Sequence, residues 1–190
     1  KFCDKAKDDL ENPYFFIIDE INRGKLSKIF GELLMLIEPD KRGQHLRLMY
    51  RNEKFTVPKN VHIIGMMNTA DRSIAMIDYA IRRRFAFYEF RPAFETDSFK
   101  EKIQQINNPK YTALINEIVR LNQVISEDSS LGTGFQIGHS YFCPYKDVKV
   151  DDEWLNSVVD YEIIPLLKEY WFDDIQKYES HISLLRALLK

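Results

Sequence analysis

Phe15-Phe16-Ile17-Ile18-Asp19-Glu20 is a run of four apolar residues that ends in two adjacent acids. An unbroken apolar run of this length reads as a strand buried on both faces, as in a parallel sheet. The acids then fall at the strand's C-terminal tip, where open α/β sheets place their ligands. A carboxylate pair at that position has the form of a Walker B motif. One acid there holds Mg²⁺ through water, and the next positions an attacking water. The spelling alone is common, and acids at a solvated strand end or near a helix N-terminus fit it as well. The residues around it decide between the readings.

Working outward, Asn12-Pro13 is a turn signal ahead of a strand over 14–18. Residues 26–38 show helical spacing, with Leu26, Phe30, Leu33 and Ile37 on one face, and Pro39 ends that helix. Residues 46–50 and 54–57 are two short strand-like runs about Arg51-Asn52-Glu53, a hairpin that Pro58 closes. Val61–Met67 reads as a second buried strand ending in Asn68-Thr69-Ala70-Asp71. A helix carrying Ile74, Ile77 and Ile81 follows, closed by Arg82-Arg83-Arg84, and Phe85–Phe90 reads as a third strand. Strand, helix, hairpin, strand, helix, strand is part of a parallel α/β sheet. The character changes at Arg91-Pro92. Residues 95–106, 110–126, 152–162, 165–172 and 180–190 read as helices, and 129–142 form a glycine-containing link. The expected organisation is an α/β part over 1–92 and an all-α part over 93–190.

The chain's 190 residues are 45% hydrophobic and 29% charged, with ten Tyr and 13 Phe to fill a core. That is an ordinary globular composition. The net charge of −2 gives no global pull toward nucleic acid, but the charge is unevenly spread. Residues 41–59 carry six cations (Lys41, Arg42, Arg47, Arg51, Lys54 and Lys59) against one acid, Glu53. Residues 147–179 carry ten acids against three Lys, which reads as a solvated helical surface. Cys3 and Cys143 fit no metal spacing, so reduced thiols in a cytoplasmic protein are expected. No apolar run approaches the ~18 residues of a membrane span, and no signal peptide is visible. The first residue is not Met, as expected of a part of something longer.

Three elements extend the acidic pair. Asn68 ends the second buried strand as Asp19 ends the first. If the two strands are neighbours, its amide and the two carboxylates converge, where an uncharged donor orients a water or touches a γ-phosphate. Asn68 also suits a helix N-cap, although Asp71 is the stronger cap candidate. Arg72 lies just beyond. The run Arg82-Arg83-Arg84 at a helix C-terminus suits the macrodipole, yet three cations exceed what capping needs. A guanidinium offered to a neighbouring subunit's phosphate is the arginine-finger arrangement.

In this order, Phe16-Ile17-Ile18-Asp19-Glu20-Ile21-Asn22-Arg23-Gly24, Gly65-Met66-Met67-Asn68-Thr69-Ala70-Asp71-Arg72-Ser73 and Asp78-Tyr79-Ala80-Ile81-Arg82-Arg83-Arg84-Phe85 closely resemble the McrB family. These are GTP-hydrolysing AAA+ subunits of modification-dependent restriction systems. Gly134-Phe135-Gln136-Ile137-Gly138-His139-Ser140-Tyr141-Phe142 resembles that family's lid signature. The resemblance runs from about residue 14 to about 175. It implies the C-terminal half of an AAA+ sheet with a pre-sensor hairpin, followed by a helical lid. It implies Asp19 as the Mg²⁺-side acid, Glu20 as the catalytic one and Asn68 as the sensor. Asp71 and Arg72 would complete the signature, and Arg82, Arg83 and Arg84 would include the finger acting in trans. It implies GTP and Mg²⁺ as cofactors, a homo-oligomeric ring (a hexamer in the parent), a McrC-like nuclease subunit, and DNA engaged by the assembled complex. Gln136 stands where a basic lid sensor could serve, and His139 and Ser140 read as buried turn residues ahead of the other reading, nucleotide-proximal ones.

No Gly-x-x-x-x-Gly-Lys-[Ser/Thr] occurs in these residues, so nothing here cradles β- and γ-phosphates. The expectations are no GTP turnover by this chain alone, and an exposed sheet edge prone to self-association. Two other readings stand beside the first. One is a MoxR-like ATP-using chaperone, which shares the hairpin. The other is a non-catalytic scaffold that binds a partner, or DNA through the basic hairpin.

Overall fold

The computed structural model describes residues 1–49, 53–68, 70 and 79–190. They form two compact units, Lys1–Tyr88 and Glu89–Lys190.

In the first unit, helix α1 (Phe2–Asp8) buries Ala6 and leads into strand β1 (Tyr14–Ile18). β1 pairs in parallel with β4 (Val61–Gly65), Tyr14 opposite Val61 through Ile18 opposite Gly65. Asn60 sets this register. Its Nδ2 lies 2.9–3.0 Å from the carbonyls of Ala6, Asp9 and Asn12, while its own carbonyl accepts from Tyr14 N–H at 2.8 Å. The start of β1 is thereby tied to the start of β4. Arg42 acts similarly from the other side. It donates to the carbonyls of Ile37 and Val61 at 3.0 and 2.9 Å, and partial burial lowers its pKa.

Side chains alternate across the strand pair. Tyr14, Ile18, Val61 and Ile63 join the clusters built on Ala6, Leu36 and Val57 and on Ile21, Leu26 and Ile81. The opposite face carries Phe15, Ile17, Ile64 and Met66, with Phe15 54% and Ile17 59% exposed. Burial of β1 on both faces, expected from its apolar run, is therefore corrected. One face packs except at Phe16, which rests against the Phe2 ring and stays 43% exposed, and no described residue covers the other face.

Three further expectations change. Residues 26–38 do not form one helix. Helix α2 (Leu26–Phe30) ends at Gly31, whose φ of 48° breaks the α-helical path, and Gly31–Ile37 continue as a 3₁₀ helix. Phe85–Phe90 form no strand, because their backbone joins no ladder among the described residues. The hairpin is present but short. β2 (Leu46–Arg47) pairs antiparallel with β3 (Lys54–Phe55), and Leu48 N–H reaches Glu53 O at 2.9 Å. Arg51 and Asn52 lie outside the described residues. So do Ile74 and Ile77, leaving α3 (Tyr79–Arg82) as the described end of that helix.

The second unit is helical. Thr96 caps α4 (Asp97–Ile106), Asn108 with Pro109 starts α5 (Pro109–Glu127), Asp151 caps α6 (Asp152–Ser157) and Asp174 caps α8 (Ile175–Leu189). Each cap side chain accepts a backbone N–H of the first turn. The expected helices 152–162 and 165–172 are one continuous path, with α6 and α7 (Ile164–Tyr170) joined by a π-helical stretch, Val158–Ile163. Pro165 gives the reason. It has no N–H for the Tyr161 carbonyl and its ring crowds that carbonyl, which a wider turn relieves. Tyr111, Leu114, Ile118, Ile125, Phe142, Leu155, Ile163 and Leu167 are fully buried in one core. Asn122 is buried among them and clasps Ile137, donating to its carbonyl at 2.9 Å and accepting its N–H at 2.6 Å.

Candidate functional site

The parallel pairing of β1 with β4 brings their C-terminal tips side by side. Met66 N–H donates to Ile18 O and Ile21 N–H to Met66 O, both at 2.9 Å. Between those bonds the chain must turn out and back, and Glu20 makes the turn in the left-handed region (φ 51°, ψ 44°). A non-glycine residue held there costs on the order of 1–3 kcal/mol, a kind of strain that clusters at functional sites. Gly65 leaves room for Ile21 beside it, because a Cβ there would lie 2.5 Å from Ile21 Cδ1 and 3.2 Å from its Cγ2 and would force that side chain to shift.

The turn aims the Glu20 carboxylate across the strand tips. Asn68 Nδ2 reaches Glu20 Oε1 at 3.5 Å, the outer limit of a hydrogen bond. Arg23 grips the same carboxylate, Nη2 to Oε1 and Nε to Oε2, both at 3.2 Å. Asn22 is buried and donates to the Asn68 carbonyl at 3.3 Å, which fixes the backbone that presents the amide. Asp19 is exposed and points elsewhere, with Oδ1 accepting Glu20 N–H at 2.9 Å. Glu20 and Asn68 are therefore together, and Asp19 is adjacent through the chain. Asp71 and Arg72 lie outside the described residues.

The three arginines differ in situation. Arg84 is mostly buried and ion-paired with Glu38 at 2.5 Å, which ties the end of α3 to the turn at Pro39. Arg83 is exposed and lies over the Tyr79 ring, 4.8 Å from its centroid. Arg82 is exposed. In the second unit, His139 is structural. Its Nδ1 accepts Ala93 N–H at 3.1 Å, and its ring meets Phe94 and Phe99 edge-on. Gln136 reaches back to the Asn122 carbonyl at 3.4 Å.

Sequence reasoning missed Arg23 and Asn22 as the residues that orient Glu20 and Asn68. The signal was their closeness to the acids within the motif. An Arg three residues after Glu20 reaches back to it across a single 3₁₀ turn.

Among the described residues, no three His, Cys, Asp or Glu side chains are placed to form a metal cage. The chemistry of Asp19 fits Mg²⁺ held in another way, through one carboxylate, waters and substrate oxygens, since Mg²⁺ retains its waters. Among the described residues, no helix is long and apolar enough to cross a membrane.

An Asp-Glu tip beside an Asn tip, with a hairpin before the second strand and a helical unit after the arginines, is the arrangement of an AAA domain followed by an α-helical lid. Residues 3–85 match the AAA domain of the dynein-related subfamily, and residues 113–179 match the McrB α-helical lid domain. The chain belongs to the McrB family. It is 48% identical over 194 residues to the Type IV methyl-directed restriction enzyme EcoKMcrB subunit of Escherichia coli (strain K12), covering 97% of this chain and 42% of that protein. It is 27% identical over 214 residues to the Type II restriction enzyme BsuMI component YdiS of Bacillus subtilis (strain 168), covering 98% of this chain and 57% of that one. The chain thus spans about half the length of the curated relatives it matches.

Proposed function

We propose that these residues are the Walker B, sensor and lid portion of a nucleotide-hydrolysing AAA+ motor that serves a modified-DNA restriction system. The observation that carries the reading is the meeting of Glu20 with Asn68 at the tips of adjacent parallel strands. Glu20 accepts a proton from a water, and Asn68 orients that water toward the γ-phosphate. Arg23 holds the Glu20 carboxylate until substrate arrives, and Asn22 fixes the carbonyl of Asn68. Asp19 would hold Mg²⁺ through water, and the ion would supply charge neutralisation at the phosphates. Arg84 is engaged by Glu38, so Arg82 and Arg83 are the residues presented to a neighbouring subunit of a homo-oligomeric ring. GTP is the preferred nucleotide, a McrC-like nuclease is the cutting partner, and the assembly acts on DNA in the cytoplasm. The lid begins near residue 93. Because no P-loop occurs in the 190 residues, the chain by itself turns over no GTP.

A chimera tests the reading. These 190 residues replace the matching segment of the Escherichia coli relative, and GTP and ATP turnover are both measured. Turnover of GTP that falls at least 10²-fold in Glu20→Ala and Asn68→Ala, with nucleotide binding retained, is the expected result. A folded, active chimera indifferent to both substitutions refutes it, and turnover of ATP in place of GTP favours a MoxR-like machine.

A further inference from the structure

The six cations of residues 41–59 separate once their surroundings are known. Lys41 is paired with Asp40 at 3.2 Å, and Arg42 is bound to two backbone carbonyls. Lys59 is exposed beyond the end of β3, and Arg51 lies outside the described residues. Arg47 and Lys54 are directly opposite each other across the β2–β3 ladder. The preceding pair, Leu46 and Phe55, packs toward the cluster of Leu36, Val57 and Val61. Alternation then turns Arg47 and Lys54 outward together, and both are exposed. Like charges directly opposite on a ladder are destabilising. No ion pair relieves them among the described residues: Glu32 instead accepts Met49 N–H at 3.0 Å, and Glu53 is an exposed neighbour in the chain.

We propose that this ribbon contacts the phosphodiester backbone of nucleic acid, with Arg47 and Lys54 as the contacting pair. A two-stranded ribbon is narrow enough for a duplex groove, and Arg and Lys are the usual phosphate donors. The contact carries no base specificity. A folded acidic protein would instead want an apolar centre ringed by polar groups, whereas Met49 is the one large apolar side chain described as exposed in the hairpin. The whole-chain charge of −2 hides the local sign. Lys1–Tyr88 holds 16 Lys and Arg against 12 Asp and Glu, while Glu89–Lys190 holds 11 against 17. The inference deepens the DNA-acting part of the proposed function and rests on that part alone.

The experiment is fluorescence anisotropy of the 190-residue chain with a random-sequence duplex of about 30 base pairs, without nucleotide, from 50 to 200 mM salt. Arg47→Gln/Lys54→Gln should reduce the log–log salt slope by about 1.8, so the wild-type advantage in affinity shrinks about tenfold across that range. Arg47→Lys/Lys54→Arg keeps the slope, as does Lys100→Gln/Lys146→Gln in the other unit. Circular dichroism checks that the exposed substitutions leave the fold intact. Absence of wild-type binding, an unchanged slope in the neutralised variant, or displacement of the duplex by polyglutamate as readily as by unlabelled duplex each overturns the proposal. The last result would point to an acidic protein. Because no nucleotide is present, failure here leaves the Glu20 reading standing, and an inactive chimera leaves this one standing.

Discussion

Asn122→Ala should be among the most damaging single substitutions in the helical unit. Asn122 is 5% exposed and satisfies both backbone groups of Ile137, itself 1% exposed. Truncation leaves a buried N–H and a buried carbonyl without partners. Each orphan costs about 1–3 kcal/mol, so the loss is about 2–6 kcal/mol against a total domain stability of roughly 5–15 kcal/mol. The assay is equilibrium unfolding in urea followed by tryptophan fluorescence. Of the two tryptophans, Trp171 is buried in the core of this unit and Trp154 packs against that core, so the signal reports on it selectively. Asn122→Leu separates the causes: it restores apolar volume but leaves the same two orphans, so it should be nearly as unstable as Asn122→Ala. Asn156→Ala, which removes an exposed bond to the Asp152 carbonyl, should change stability by less than about 0.5 kcal/mol. A loss under about 1 kcal/mol for Asn122→Ala, or a Leu variant as stable as wild type, refutes the reasoning.

Other expectations concern acid, the strand tips and the bare face. Asp128, whose side chain is 8% exposed, accepts from Lys177, Ser130 and Trp171, and these bonds, that of Lys177 foremost, hold its carboxyl well below the usual range. Its folded pKa is depressed, so its contribution is full above the unfolded value near 3.9 and is lost as pH falls below it. Urea titrations should show the gap between wild type and Asp128→Asn narrowing from pH 7 to pH 3. Gly65→Ala drives a Cβ into Ile21 and should cost about 1–3 kcal/mol, with partial recovery in Gly65→Ala/Ile21→Val, read by the melting temperature of the first unit. Sedimentation velocity should show concentration-dependent self-association of the chain, reduced in Phe15→Ser/Ile17→Ser; a wild type that stays monomeric at high concentration argues against a sticky face.

The parts of the fold legible in the sequence were those with a local cause. Apolar runs ending in polar residues gave β1 and β4, and Thr96 and Asn108-Pro109 carry the local signals of helix starts, whereas Pro165 lies inside a continuous helical path. The hairpin was legible from its alternation. What was hidden depended on a partner distant in sequence or on backbone geometry. The spacing of Leu26, Phe30, Leu33 and Ile37 fits a helix, but Gly31 adopts a positive φ that a periodic pattern does not register. The aromatic run at 85–90 has the composition of a strand, yet a strand needs a ladder. The convergence of Glu20 and Asn68 was legible only on condition that their strands were neighbours. Asn60 and Arg42 help to meet that condition, through bonds to carbonyls up to 54 residues away. Which arginine is engaged internally could not be read from three identical letters, since only the contact with Glu38 distinguishes Arg84.

The π-helical stretch at Val158–Ile163 gives this part of the chain one residue of slack in its length. A π turn holds about one residue more than an α turn, so a single deletion within it would let the path close into an ordinary α-helix. Each form closes one full turn, so the residues downstream would keep their direction about the helix axis. Leu167 would stay in the core and Trp171 would keep its bond to Asp128, and the cost would fall on Pro165, whose ring would again crowd the carbonyl four residues before it. Substitutions on the exposed side of the stretch, at Tyr161 for instance, preserve that phase. A residue deleted from the regular turns of α7 has no such slack, and there the side chains downstream would turn by about 100°.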